Sequence, residues 1–186
     1  MATTRTVTFD YPHTPADVGA LLQDPVYLRY RSEVAGERNI EVRVEPEADG
    51  LRVTVAREKD VDIPAFARAI LGSNNRAVES TLWRAEGDRF SAEYEIQVPG
   101  LPVKTQGKST FVASAGGCRY TSTFQVTARI PLVGGKIEAL VADGLEEQML
   151  LNAQRNAEAL ARNRERGPHS FIEGLREQEA NARSGS

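Results

Sequence analysis

One stretch limits the possible folds more than any other. Residues 134–163 carry the single long run of helical period in the chain. Wound at 100° per residue, Ile137, Leu140, Val141, Gly144, Leu145, Gln148 and Leu151 fall on one face, and Lys136, Asp143, Glu146 and Glu147 fall on the other. At 1.5 Å per residue such a helix runs roughly 40 Å, longer than most sheets are wide. The residues before it read mainly as strands, and little that is regular follows. The order implies one sheet closing over one terminal helix.

The strand runs show period two. Ile40, Val42 and Val44 alternate with Glu41, Arg43 and Glu45, and Leu51, Val53 and Val55 alternate with Arg52 and Thr54. Phe90, Ala92, Tyr94 and Ile96 do the same, as do Val103, Thr105, Gly107, Ser109 and Phe111, and then Tyr120, Ser122, Phe124, Val126 and Ala128. Residues 4–9 form a first strand with Val7 and Phe9 on one face. Residues 77–83 are strand-like without a clear inward face. Clean alternation means one covered face and one wet face, the mark of an antiparallel sheet. Between the first and second strands lie two helix starts: Thr14-Pro15 with Asp17 in the first turn, and Asp24-Pro25. They predict short helices over 15–22 and 25–31, the first turning Val18, Leu21 and Leu22 inward, the second carrying Val26, Tyr27 and Tyr30.

In a meander, alternate connections share an end of the sheet. The turns at 46–50, 85–88 and 115–117 are short and contain glycine, as hairpin turns do. The connections at 61–75, 99–102 and 130–135 carry Val61, Ile63, Phe66, Ile70, Leu71, Leu101, Ile130, Leu132 and Val133, with a short helix over 64–71 stopped by Gly72. An end ringed by apolar loops is where an opening is expected. After residue 163 the chain turns polar, apart from Phe171, Ile172 and Leu175 behind a capping Ser170. A domain over 1–163 with a loosely held or disordered tail over 164–186, or one with a short last helix, is the expectation.

Composition excludes several functions. A chain of 186 residues with a net charge of −3 is one domain's length and lacks the basic surface that general nucleic-acid binding needs. It has no apolar run long enough to span a membrane and no signal-peptide core at its start, so a cytoplasmic address is expected. Its one cysteine, Cys118, allows no internal disulfide and reads as a small buried hydrophobe. The two histidines, His13 and His169, lie outside any strand-end cluster and support neither a metal site nor a nucleophilic triad. Asp60 and Asp62 fall short of a calcium ligand set and read as a solvated strand end. No cofactor motif is present.

The order of strand, two short helices, six-stranded meander and long helix resembles the START-like superfamily, also called the polyketide-cyclase, SRPBCC or helix-grip fold, over residues 3–163. The wording of residues 7–12, VTFDYP, and of 130–138, IPLVGGKIE, is similar to that of a bacterial family of unknown function within it. The fold class implied is α+β: a curved antiparallel sheet of about seven strands around a long C-terminal helix, with two short helices after the first strand. The resemblance implies a cavity between sheet and helix for a hydrophobic small molecule or lipid, and no particular reaction.

The residues expected to line that cavity come from the inner strand faces, the lid and the helix. They are Tyr94, Thr105, Ser109, Phe111, Tyr120, Ser122 and Phe124 on strands, Phe66 and Ile70 on the lid, and Leu140, Gly144, Gln148 and Asn152 on the helix. The small members either leave a void or let the helix pack close. Gly144 suggests local room, because a mid-helix glycine costs about 1 kcal/mol relative to alanine. Gln148 and Asn152 serve either as anchors for a ligand's polar group or as partners for strand backbone, and Arg155 is expected in solvent. Two other roles use the same features. One is a cyclase- or hydrolase-type enzyme with Tyr94 and Tyr120 as its inward acid–base candidates; the other is a protein-interaction module docking through the apolar loops.

Overall fold

A computed structural model describes residues 2–60, 64–71, 74–166 and 170–184. The expectations placed on Val61, Asp62, Ile63, Gly72 and His169 lie outside the described residues, as does the side chain of Ile70. The chain runs β1 (Thr3–Tyr11), α1 (Pro15–Leu22), α2 (Pro25–Val34), β2 (Arg38–Glu47), β3 (Gly50–Asp60), α3 (Ala65–Leu71), β4 (Asn74–Glu86), β5 (Arg89–Gln97), β6 (Val103–Ser114), β7 (Gly117–Ala128), α4 (Gly134–Arg166) and α5 (Ser170–Ser184). The seven strands form one antiparallel sheet in the order β1-β7-β6-β5-β4-β3-β2, so β2 through β7 are a plain meander and β1 returns to pair with β7. This is the α+β helix grip that the strand and helix order implies.

Local chemistry fixes the helix starts. Thr14 and Asp17 form a reciprocal capping box on α1, with Pro15 in its first turn. Asp24 caps α2 by accepting from the N–H groups of Val26 and Tyr27 at 2.9 and 3.1 Å. α2 runs a turn beyond the expected residue 31, and its buried side chains are Tyr27, Leu28 and Ser32, with Val26 and Tyr30 only partly covered.

The sheet's inner face packs on α4 and α1, while its outer face carries cross-strand ion pairs such as Lys108–Glu93 and Arg119–Asp10. The register settles the inward face of β4. Val53 and Val55 of β3 stand opposite Thr81 and Glu79, so Glu79, Thr81 and Trp83 share the inner face.

α4 lies chiefly against β1 and β7. Its covered side is Ile137, Glu138, Ala142, Ala153, Asn156, Ala159 and Leu160. This corrects the expected stripe: Gly144 is exposed with open space around it, and Leu151 is exposed too. The reason is packing distance. The helix approaches its neighbours through alanines, which a count of large apolar residues passes over.

The apolar loops also differ from expectation. Ala67, Leu71, Ala128 and Ile137 form a second small core, with Leu101, Ile130, Val133 and Leu140 packed on it. Among the described residues that end is therefore plugged by its own side chains. Leu132 alone of this group projects fully into solvent, at a positive φ of 68°. The chain after 166 resumes as α5, which packs on α4 and α2. Phe171 meets Tyr30 edge-on with ring centroids 5.3 Å apart, and Arg176 pairs with Asp24 at 2.7 Å.

Candidate functional site

A hollow of about 110 Å³ lies between the inner face of β3–β7 and the middle of α4, closed at one side by α1 and α2. Its apolar wall comes from alternate positions of the strands: Val53 and Val55 on β3, Trp83 on β4, Phe111 on β6 and Tyr120 on β7, faced by Leu145 and Met149 of α4. The aromatic members support one another. Phe111 stacks on Tyr120 with centroids 4.9 Å apart, and Trp83 tilts against Phe111 at 5.5 Å.

The polar wall is concentrated on the β3–β4 flank. Arg57 of β3 donates to Glu79 of β4 at 2.8 Å and lies 3.3 Å from Glu37. All three side chains are largely covered, at 17%, 26% and 9% accessibility. Arg57 and Glu79 line the hollow, so part of what remains accessible of them is its wall. Burial pushes the Glu79 carboxyl up, but Arg57 and Arg31 pull it down further, and the net shift is below the ordinary carboxylate range. The Arg57 guanidinium, penalised by burial, is held charged by Glu79 and Glu37.

The phenols shift the other way. Burial pushes Tyr11, Tyr94 and Tyr120 well above the usual tyrosine value, and Tyr27 up to about 12. Tyr27 and Tyr11 are bridged by the buried amide of Asn156, which accepts from Tyr27 at 2.8 Å and donates to Tyr11 at 3.1 Å. Further up the helix, Gln148 donates to Asn152 Oδ1 at 3.1 Å, and Arg155 donates to the same oxygen at 3.2 Å. Lys59 Nζ donates to Gln148 Oε1 at 3.2 Å. Gln148 lines the hollow and Lys59 does not, so this bond joins β3 to α4 across the rim.

Six of the expected residues meet here: Tyr94, Ser109, Phe111, Tyr120, Gln148 and Asn152. The other described ones do not reach the wall. Thr105, Ser122 and Phe124 are buried in the sheet's inner layer, where Ser122 bonds to Tyr94 Oη and Ser109 Oγ at 2.9 and 3.0 Å. Leu140 belongs to the second core, Gly144 faces solvent and Phe66 is 44% exposed. Gly107 leaves no void, because a Cβ there would lie 2.4 Å from the Tyr94 ring: its missing side chain is the space that Tyr94 occupies.

The sequence reading missed Arg31, Arg57, Glu79, Trp83 and Asn156. Arg57 continues the parity of Val53 and Val55, so alternation alone pointed it inward. Asn156 follows Gln148 and Asn152 at four-residue steps, and Arg31 stands one turn after Tyr27 and Leu28.

A wider trough of about 920 Å³ lies outside the grip, walled by residues such as Thr14, Asp24 and Arg176 of the first two helix starts and α5. Among the described residues no cluster of three or more metal-ligating side chains occurs, and no helix is long and apolar enough to cross a membrane.

A family model described as "Protein of unknown function (DUF2505)" matches residues 6–159. The chain belongs to that family. No curated protein matches the sequence. Among solved structures, Ara h 8.0201 is 12% identical with a TM-score of 0.58, over 88% of this chain and 100% of that one. TTHA0849 from Thermus thermophilus is 20% identical with a TM-score of 0.55, over 86% and 97%. A Thalictrum norcoclaurine synthase point mutant, in complex with a transition-state analogue, is 11% identical with a TM-score of 0.51, over 84% and 94%. These neighbours are START-like proteins, and at such identities what this DUF2505 member shares with them is the fold.

Proposed function

We propose that this chain binds a compact, mainly apolar small molecule between its sheet and α4, without transforming it. The observation that carries the reading is the hollow itself. Protein interiors close to crystal-like density wherever they can, yet here about 110 Å³ stays open behind stacked aromatic rings, with polar groups gathered on one flank. That combination is the usual make-up of a small-molecule site. The volume narrows the occupant. Drug-sized ligand sites hold roughly 300–1,000 Å³, so a sterol, a quinone or a two-chain lipid does not fit this conformation. Native mass spectrometry of gently purified protein, followed by thermal-shift measurements across compact aromatic and aliphatic compounds, tests the reading. Retention or stabilisation by compact ligands, weakened by Phe111→Ala, is the expected result; no binding by any of them would sink it.

Turnover in the same cavity is the second reading, favoured by the synthase among the structural neighbours. The electrostatics weigh against it. A proton-transfer group works best with a pKa near the operating pH, whereas the tyrosines here are pushed up and Glu79 is pulled down. Loss of any detected turnover in a Tyr94→Phe, Tyr120→Phe double variant would reverse that judgement.

A further inference from the structure

Most polar groups on the cavity wall are already answered. Glu79 and Glu37 share Arg57, Tyr27 and Tyr11 share the Asn156 amide, and Tyr94 and Ser109 meet at Ser122. Two groups stand apart. Arg31, in the last turn of α2, lines the hollow, and among the described residues no hydrogen bond or ion pair occupies its guanidinium. Asn152 also lines it. Its Oδ1 faces two donors, Gln148 and Arg155, which fixes the orientation of the amide and leaves its NH₂ without an acceptor among the described residues. The unspent groups are therefore donors.

Resting on the binding role proposed above, we infer that the ligand is a compact monocarboxylate, its apolar body against Phe111 and Trp83 and its carboxylate on Arg31 and Asn152. A guanidinium is a fork of parallel N–H donors that matches a carboxylate's two oxygens, and the Asn152 amide adds a further donor. Arg31 reaches Glu79 only through space, without a hydrogen bond, so its donors are free to meet an arriving anion, whereas Glu79 already has a hydrogen-bonded counter-charge in Arg57. The surrounding charges agree. Arg57 faces two carboxylates, Glu79 and Glu37, and Glu158 lies near Tyr27, but with Arg31, Arg155 and Lys59 the four cations exceed the three anions by one. Size sets the scale of the body: a dry cavity of about 150 Å³ takes benzene, and this hollow of about 110 Å³ is smaller, so it encloses a short chain or part of one ring at most.

Isothermal titration of the full chain with benzoate, benzamide and benzylamine, for the wild type and for Arg31→Gln, separates the outcomes. Benzoate is expected to bind at least tenfold more tightly than benzamide, with benzylamine weakest. Arg31→Gln is expected to weaken benzoate at least tenfold and benzamide by much less, which removes the preference for benzoate. Arg31→Lys keeps the charge without the fork and is expected to fall between, which keeps the test open should the glutamine variant misfold by circular dichroism. Benzamide or benzylamine matching benzoate, or benzoate binding that ignores Arg31, would overturn the carboxylate assignment while leaving a binding cavity in place. Failure of all three compounds to bind would overturn the carboxylate assignment, and the cavity role falls with it only where the aliphatic compounds fail to bind as well.

Discussion

The two flanks of the grip are built by different rules. On the β1–β7 flank, α4 lies close to the sheet through Ile137 and Ala142, and a single buried carboxylate, Glu138, accepts the Ala128 N–H at 3.0 Å. That contact ties the helix's second turn to the end of the last strand. On the β3–β4 flank Val53, Val55 and Trp83 stand off from α4 and leave the space between sheet and helix open. Charged and amide groups line it beside them, and the bond from Lys59 to Gln148 reaches across. The first flank supplies adhesion and the second holds open the space that the proposed binding role uses. A protein that must hold a helix over a hollow has to separate the two, because close packing on both sides would erase the cavity.

The comparison can be broken most forcefully at Arg57. Changing Arg57→Ala leaves Glu79 and Glu37 without their counter-charge in a covered site, and removing one partner of such a pair costs about 3–5 kcal/mol. The midpoint of urea unfolding should fall accordingly. On the adhesive flank Ile137→Ala is expected to cost about 2–4 kcal/mol through transfer and cavity terms, with ligand binding unchanged once the variant is folded. Two glycines sharpen the contrast. Gly107→Ala forces a methyl into the Tyr94 ring and should destabilise by about 1–3 kcal/mol, whereas Gly144→Ala meets open space and should stabilise by up to about 1 kcal/mol.

The smallest effect is expected in the pH profile. Glu79 is held below its ordinary range, so its contribution to stability is present above about pH 4.3, the unfolded value, and is lost as the pH falls through the folded one. Thermal unfolding should therefore steepen its decline in acid, with a shallower slope in Glu79→Gln. At the alkaline end, burial pushes the Cys118 thiol up to about 11. The folded state then keeps a proton that the unfolded chain releases near about pH 8.5, so stability should drain between those two values. Cys118→Ala should remove that part of the loss.

How much of this was legible in the sequence depended on side-chain size and sign. The strands were readable because Val42, Val44, Val53 and Val55 alternate with charges, and the first two helices because Thr14 and Asp24 announce them. Six cavity residues were readable because large or hydroxylic side chains stood at the inward parity of β5, β6, β7 and on α4. The charged wall was not, since hydropathy assigns arginine and glutamate to solvent even when Arg57 continues an inward series. Gly144 misled for the complementary reason. The buried face of α4 at Ala142 and Ala153 is weakly hydrophobic and close-packed, so the stripe of larger residues beside it looked like the contact. Apolar loops suggested an opening, yet Ala67, Leu71 and Ile137 use that surface to seal one another.

The ring of Tyr94 rests in the gap left by Gly107, directly across the β5–β6 pairing. Tyr94 is thus a stopper on the sheet side of the chamber that Arg31 and Asn152 also line. A change at Tyr94 to a small residue would open a second compartment while the charged end stayed as it is. Under the proposed binding role, the length of molecule accepted is set at Tyr94 and Gly107, separately from the groups proposed to hold its carboxylate.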